Sequence, residues 1–226
     1  TRRLRWLWAL ALLLALGMLA RPAAAAKQQR NDTGQTLCID PGSSAPIACP
    51  GSGQDGESGR DMSQPGSKDG AAGFSFVKIA ADGTPLPRQA GQWSCVLDRV
   101  TGLTWEVKSD DEGLRDKDRL YRNWGGGQGN EANAFVRAVN AEGLCSHHDW
   151  RLPGREELMG LLDFGRASDQ PGIDTDWFPN TVAGMYWTGT ISADPLGAWS
   201  ADLVGRFVNV RHRKEALSVR LVRDQR

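Results

Sequence analysis

The sequence predicts an α+β fold built from short antiparallel strands, two helices and long irregular loops. Three observations carry that prediction. Strand-like runs gather before and after a central pair of helix-like segments instead of alternating with them, which is the order of an antiparallel sheet and not of a βαβ array. Stretches rich in Gly, Ser, Asp and Pro separate the runs, as turns and loops do. Four cysteines, Cys38, Cys49, Cys95 and Cys145, form an even set in a chain that opens like an exported protein, and such a set reads as two disulfides.

The opening is read as a signal peptide over residues 1–26. Arg2, Arg3 and Arg5 precede an apolar run from Trp6 to Ala20, and Ala24 and Ala26 supply an A-x-A site. The run is shorter than the roughly 20 residues a bilayer span needs, so no membrane span is expected once the leader is removed. Arg2, Arg3, Arg5 and Arg21 leave with it, so the 27 basic residues drop to 23 against 27 acidic ones, a net charge of −4. A mature chain of that sign lacks the basic footprint of a general nucleic-acid binder. The expected location is periplasmic, outer-surface or extracellular.

Residues 27–73 are read as a Gly/Ser/Asp-rich N-terminal segment, a long loop or tether. Large apolar side chains are scarce there, too few to offset chain entropy by burial. Of the three possible disulfide pairings, Cys38–Cys49 with Cys95–Cys145 is favoured, because the first two lie close together in a turn-rich stretch. The Asp-Gly steps of this segment resemble fragments of calcium loops. They lack the D-x-D-x-D-G spacing with a Glu at the twelfth position, so no metal is assigned.

The second unit runs from residue 74 to 226. "FSFVKIA" alternates as a half-buried strand does, "ADGTPLP" is a turn, and "WSCVLD" and "GLTWEV" form a hairpin around "RVTG". In "NEANAFVRAVNAEG", Ala134, Phe135, Ala138, Val139 and Ala141 share one helical stripe, with Asn130 expected as N-cap and Gly143 as C-cap. A second helix is expected over residues 155–164, with Leu158, Leu161 and Leu162 inward and Gly165 as its stop. "YWTGT", "AWSADLV", "RFVNVRH" and "SVRLVRD" then read as strands.

The stretch "CSHHDWRLPGREELMGLLDF", residues 145–164, gathers a cysteine, two histidines and an aspartate, and it raises the question of a reaction centre. Its pattern answers otherwise. Pro153 suits the edge of a helix start and forces the preceding residues to be extended. Gly154 lies at the N-cap, Glu157 can complete half of a capping box, and both Glu156 and Glu157 sit at the positive helix end. Arg151, on the opposite side from Trp150 and Leu152, is expected to fix carbonyls or a carboxylate. Adjacent His147 and His148 diverge in an extended loop, and His212 is the one other histidine of the chain, so a zinc site lacks its three or four convergent ligands. A bridged Cys145 has no thiolate. No P-loop, H-E-x-x-H, Ser-His-Asp or dinucleotide pattern is present. The pairs Asp110-Asp111 and Asp174/Asp176 read as solvated surface. A non-catalytic protein without a cofactor is the expectation.

Taken in succession, "WSCVLDRVTGLTWEVK", "AFVRAVNAEGLC", "DWRLPGREELMGLLDF", "IDTDWFPN", "YWTGT", "AW" and "VRLVR" resemble the Lcl C-terminal domain family of exported bacterial proteins. "DTGQTLCID" through "CPGSGQDG" resembles the segment that precedes the domain in one subgroup, so the likeness covers nearly all of residues 32–223. It implies a C-type-lectin-like fold. The best-understood members resemble adhesins that bind sulfated polysaccharides, although most members have no assigned role. Two departures stand out. Gly154 occupies a position where relatives usually carry Ser or Thr. The "GGGQGNEAN" stretch lacks a cysteine that many relatives place before the first helix, so their disulfide pattern does not transfer.

Within that frame Trp105, Trp150, Trp187 and Trp199 are expected in the interior, with Arg151 and Pro153 as scaffold. Trp124, in the glycine-rich loop "YRNWGGGQGN" with Tyr121, and Trp177, in "DTDWFPN", are candidate ligand-binding aromatics, because loops carry function disproportionately. Arg211 and Arg213 share a strand face and, with Lys214, are candidate contacts for a glycan or anionic polysaccharide. The expected role is a carbohydrate- or surface-ligand-binding, adhesin-like module. The alternatives are a structural protein of the cell envelope and an enzyme akin to the formylglycine-generating oxidases, whose chemistry needs late cysteines that this chain lacks after Cys145.

Overall fold

A computed structural model describes residues 29–125 and 129–225, so the signal-peptide reading of residues 1–26 and the centre of the glycine-rich loop lie outside the described residues. In chain order the strands are β1 (Cys38–Ile39), β2 (Pro46–Ile47), β3 (Gly66–Ser67), β4 (Gly70–Ala71), β5 (Phe76–Ile79), β6 (Pro85–Leu86), β7 (Cys95–Asp98), β8 (Leu103–Glu106), β9 (Met185–Ile191), β10 (Gly197–Asp202), β11 (Phe207–His212) and β12 (Val222–Asp224). The α-helices are α1 (Arg60–Ser63), α2 (Ala132–Glu142) and α3 (Arg155–Met159). Two sheets dominate, ordered β12-β8-β7-β5-β6 and β11-β10-β9, and the paired strands in both run antiparallel. The α+β architecture with antiparallel sheets, few helices and two disulfides is therefore present.

The interior explains the tryptophan blocks. Trp105, on β8, is buried with Phe76, Leu158, Leu161, Leu162, Phe178 and Val222. Trp150 and Trp187 are buried around α2 with Phe135, Val139 and the Cys95–Cys145 bridge. Each of these two indoles gives its N–H to a carbonyl, Trp150 to Leu144 at 3.0 Å and Trp187 to Tyr121 at 2.6 Å, which removes the cost of burying a donor. Trp199 departs from the expectation. It is half-buried on β10, with the Arg155 guanidinium 4.7 Å from its ring, because its side of β10 faces the start of α3 instead of the core.

Both predicted helices form, with shifted ends. Gly143 does cap α2, in the left-handed region at φ 72°, where its N–H bonds to the Val139 carbonyl. The N-cap is Glu131 and not Asn130, and no side chain caps the helix there; the Glu131 carboxylate is drawn instead to the loop before it. The second helix stops at Met159, not at residue 164. Leu161 and Leu162 continue as tight turns, their N–H groups bonding three residues back to Leu158 and Met159. Asp163 and Phe164 then give their N–H groups to Gly172 and Thr33, which pulls the chain out of the helix. The three leucines remain buried because the turns preserve their side.

Residues 29–73 are not a bare tether. Their scarcity of apolar burial holds, but polar side chains bonded to backbone order the segment in its place. Cys38 and Cys49 are bridged, closing the β1–β2 ribbon. Asp40 accepts the N–H groups of Gly42 and Ser43, and Glu57 those of Gly51 and Gly53. Asn31 donates to the buried Asp98 carboxylate at 2.5 Å and to the Gly160 carbonyl at 3.0 Å, joining the segment to the large sheet and to the end of α3.

Arg151 and Pro153 sit at the junction of α3 and the large sheet. Arg151 exchanges both backbone bonds with Val222 on β12, and its guanidinium grips Glu157 at 2.7 and 2.8 Å and Asp224 at 3.2 Å. Glu157 also accepts the Gly154 N–H at 2.7 Å, the half of a capping box a glycine permits. Pro153 is buried, and its carbonyl takes the Gly189 N–H. Burial works to raise the Glu157 carboxyl, but Arg151 and the Gly154 N–H outweigh it and hold the group below its usual range. A depressed carboxylate stabilises the fold above its unfolded pKa, and that stabilisation is lost as pH falls through the folded value. Glu157→Ala is therefore expected to cost about 1–2 kcal/mol near neutral pH. Urea unfolding should show the gap to the parent chain closing in acid.

Candidate functional site

One cleft collects several candidate residues. It has a volume of about 330 Å³ and lies where the end of β9 meets the loop before α2 and the turn after β11. Asn123, Asn133, Thr188, Thr190, Ser192 and Asp194 supply its polar lining, and Arg213 stands on its wall. The cleft exists because β9 and β10 fall out of step. Ala198 pairs with Ile191 but Ser200 with Trp187, so residues 188–190 bow out of the ladder. The bowed hydroxyls are held in place: Thr188 donates to the Trp199 carbonyl at 2.9 Å, and Thr190 accepts the Arg155 N–H at 2.9 Å.

Trp124 stands beside this cleft on the arm before the glycine-rich loop, and it is 41% exposed. Its ring lies parallel to that of His212, with centroids 6.1 Å apart, and Lys214 Nζ is 4.9 Å from the indole. Arg213 donates through Nε to the carbonyl of Asn123, the neighbour of Trp124, at 2.5 Å. Glu131 accepts the N–H groups of Trp124 and Gly125 at 2.9 and 3.1 Å and pairs with Arg122 at 3.2 Å. That carboxylate fixes the arm. Sequence reading missed it, and its one signal was an acidic residue just ahead of the helix.

The other candidates are placed elsewhere. Tyr121, read as a loop aromatic, is 5% exposed; its ring lies 4.7 Å from that of Phe135 and its hydroxyl donates to the Leu114 carbonyl. Burial pushes its phenol up to about 12. Trp177 is 2% exposed against Phe76, and its carbonyl takes the Trp93 indole N–H. Both loops close over the core, so neither aromatic meets a ligand at the surface. Arg211 is bound to Glu215 at 2.6 Å, which offsets its charge and removes it from the predicted basic strip. Arg213 and Lys214 form no ion pair among the described residues. The basic patch thus contracts to two side chains, Arg213 on the cleft wall and Lys214 against the Trp124 ring.

No cysteine is free among the described residues. His148 is exposed and tied by Nδ1 to the Asn140 carbonyl at 2.5 Å. Among the described residues no helix is long and apolar enough to cross a membrane.

The fold and cleft define a cystine-stapled α+β domain with a polar surface cleft and no thiolate. The profile of the Lcl C-terminal domain matches residues 94–223, more than half of the chain, and the protein belongs to that family. The match runs from β7 to β12 and contains the cleft, Trp124 and the Cys95–Cys145 bridge. A search of curated proteins finds no significant match.

Proposed function

We propose that the chain is an exported, non-catalytic module of C-type-lectin-like fold that recognises a carbohydrate bearing anionic groups at the Trp124 cleft. One observation carries this reading: an exposed indole with Lys214 against its ring adjoins a cleft lined by amide and hydroxyl groups and one carboxylate, Asp194, with Arg213 on its wall. Amides and hydroxyls match the donor and acceptor pattern of a polyol, an aromatic ring covers the apolar face of a sugar, and cations at the rim select sulfate or carboxylate substituents. The two disulfides favour an oxidising compartment. The bridged cysteines favour binding over oxidase chemistry.

Titration of the chain against a glycan array at two salt concentrations tests the reading. Binding to sulfated or uronate-bearing glycans is expected to weaken with salt. Trp124→Ala should lower affinity about tenfold. Arg213→Ala and Lys214→Ala should flatten the salt dependence, while Arg211→Ala, already neutralised by Glu215, should leave it nearly unchanged. Absence of binding to every glycan at low salt would refute the proposal.

A further inference from the structure

The N-terminal segment contains a cluster that the cleft does not use. Asp32, Asp55 and Asp61 each place a carboxylate oxygen so that the three oxygens lie within 4.8 Å of one another. Three like charges at that separation repel, and exposed carboxylates would ordinarily swing apart. These are fixed. Asp32 accepts the N–H groups of Thr33 and Arg60 at 3.0 and 2.6 Å, Asp55 accepts the Thr33 hydroxyl, and Asp61 Oδ1 accepts the Met62 N–H at 2.7 Å.

Asp61 adds an independent sign. The residue is fully buried, and its Oδ2 has no hydrogen-bond partner among the described residues. A buried carboxylate oxygen left unpaired is costly unless something compensates it. No lysine or arginine among the described residues pairs with any of the three aspartates. The nearest in sequence, Arg60, turns its guanidinium away to the Gly73 carbonyl and to Gln64.

We propose that Asp32, Asp55 and Asp61 are protein ligands of a calcium ion that ties the N-terminal segment together. An all-oxygen, all-anionic set suits a hard divalent cation. Calcium bonds of about 2.3–2.6 Å put opposite ligands roughly 4.6–5.2 Å apart, so three oxygens within the observed spacing fit one coordination sphere. Calcium accepts irregular geometry and fills its remaining positions with water, which the exposed side of Asp55 admits; magnesium demands a stricter octahedron. The ion would join three separate stretches: the irregular segment at Asp32, the tight turn Asp55–Glu57 and helix α1. The spacing 32, 55 and 61 matches no linear calcium loop, so motif reading passes over it.

The test is calorimetric titration of the chelator-stripped full chain with calcium chloride near neutral pH, with a parallel magnesium titration. One saturable calcium site is expected, with a dissociation constant on the order of 10⁻⁵–10⁻³ M. Hydrogen exchange should slow across residues 29–73 on calcium addition and stay unchanged in α2. Asp61→Asn should weaken binding at least about tenfold. If that buried variant does not fold, Asp55→Asn, at the exposed side, should weaken it in the same direction. No saturable binding at about 5 mM calcium overturns the proposal, since that exceeds the weak extracellular range. Binding untouched by both variants overturns the ligand set, and equal affinity for magnesium overturns the choice of ion. Glycan binding at the Trp124 cleft is an independent readout.

Discussion

Replacing Cys95 and Cys145 together by alanine is expected to lower the unfolding free energy by about 4 kcal/mol. The bridge closes a loop across a sequence separation of 50 residues, and the chain-entropy cost of the open unfolded state sets that figure. Its position makes the loss global. Cys95 opens β7, Cys145 follows α2, and both sulfurs are fully buried among Phe135, Val139, Trp150 and Trp187. The bond therefore ties the large sheet to the helix that backs it. Equilibrium urea unfolding followed by tryptophan fluorescence, which reports Trp150 and Trp187, should show the whole transition move to lower urea. The Cys38–Cys49 bridge gives a contrast. Its loop has a separation of 11, for which the same reasoning gives about 3 kcal/mol. Few apolar contacts link that ribbon to the core, so the double alanine variant should loosen residues 29–73 with little effect on the fluorescence transition. A global transition that moves equally for both variants would show that segment and domain unfold as one unit.

The same contrast marks what the sequence made legible. Leu158, Leu161 and Leu162 were readable as buried because periodicity is a local signal, and it survived even though the helix ended early. Gly143 was readable as a cap because its backbone requirement is its own. The features that escaped are set by distant partners. Tyr121 and Trp177 lie in loops of polar composition, yet Leu217 and Phe76 draw them under cover. Residues 29–73 gain order from carboxylates that find backbone N–H groups, which composition does not reveal. The cleft depends on a slip between β9 and β10, and no residue in "YWTGT" announces it. Trp124 was legible as a loop aromatic; the pairing of Arg211 with Glu215, which strips the patch of one charge, was not.

Glu106 is a charged residue on a strand that is buried along its whole length. All four residues of β8 are covered because the strand is interior to its sheet and packed on both sides. Glu106 is 0% exposed. One carboxylate oxygen lies 3.2 Å from Lys108 Nζ and the other accepts the Leu221 N–H at 2.9 Å. Arg220, equally buried, donates to the Glu106 backbone carbonyl at 2.7 Å and to the Thr181 hydroxyl, with Phe178 facing its guanidinium. One buried anion thus stands between two buried cations. Glu106→Gln keeps the shape and removes the charge, and it is expected to cost about 3–5 kcal/mol near neutral pH because Lys108 and Arg220 are left uncompensated. The pH dependence has a definite sign. Burial, with help from Arg220 and Arg115, pushes the Lys108 ammonium below its usual pKa, against the pull of Glu106. A base with a depressed folded pKa binds fewer protons folded than unfolded, so stability rises with pH between the folded value and 10.5. Without Glu106 that window extends to lower pH, since the restraint on the depression is gone. The deficit of Glu106→Gln should therefore shrink on going from neutral to mildly alkaline solution, as Lys108 sheds its proton inside the fold. Adding Lys108→Met to the variant should recover part of the loss at neutral pH and remove most of its pH dependence. A deficit that stayed constant with pH in the single variant would place the cost in packing and not in charge.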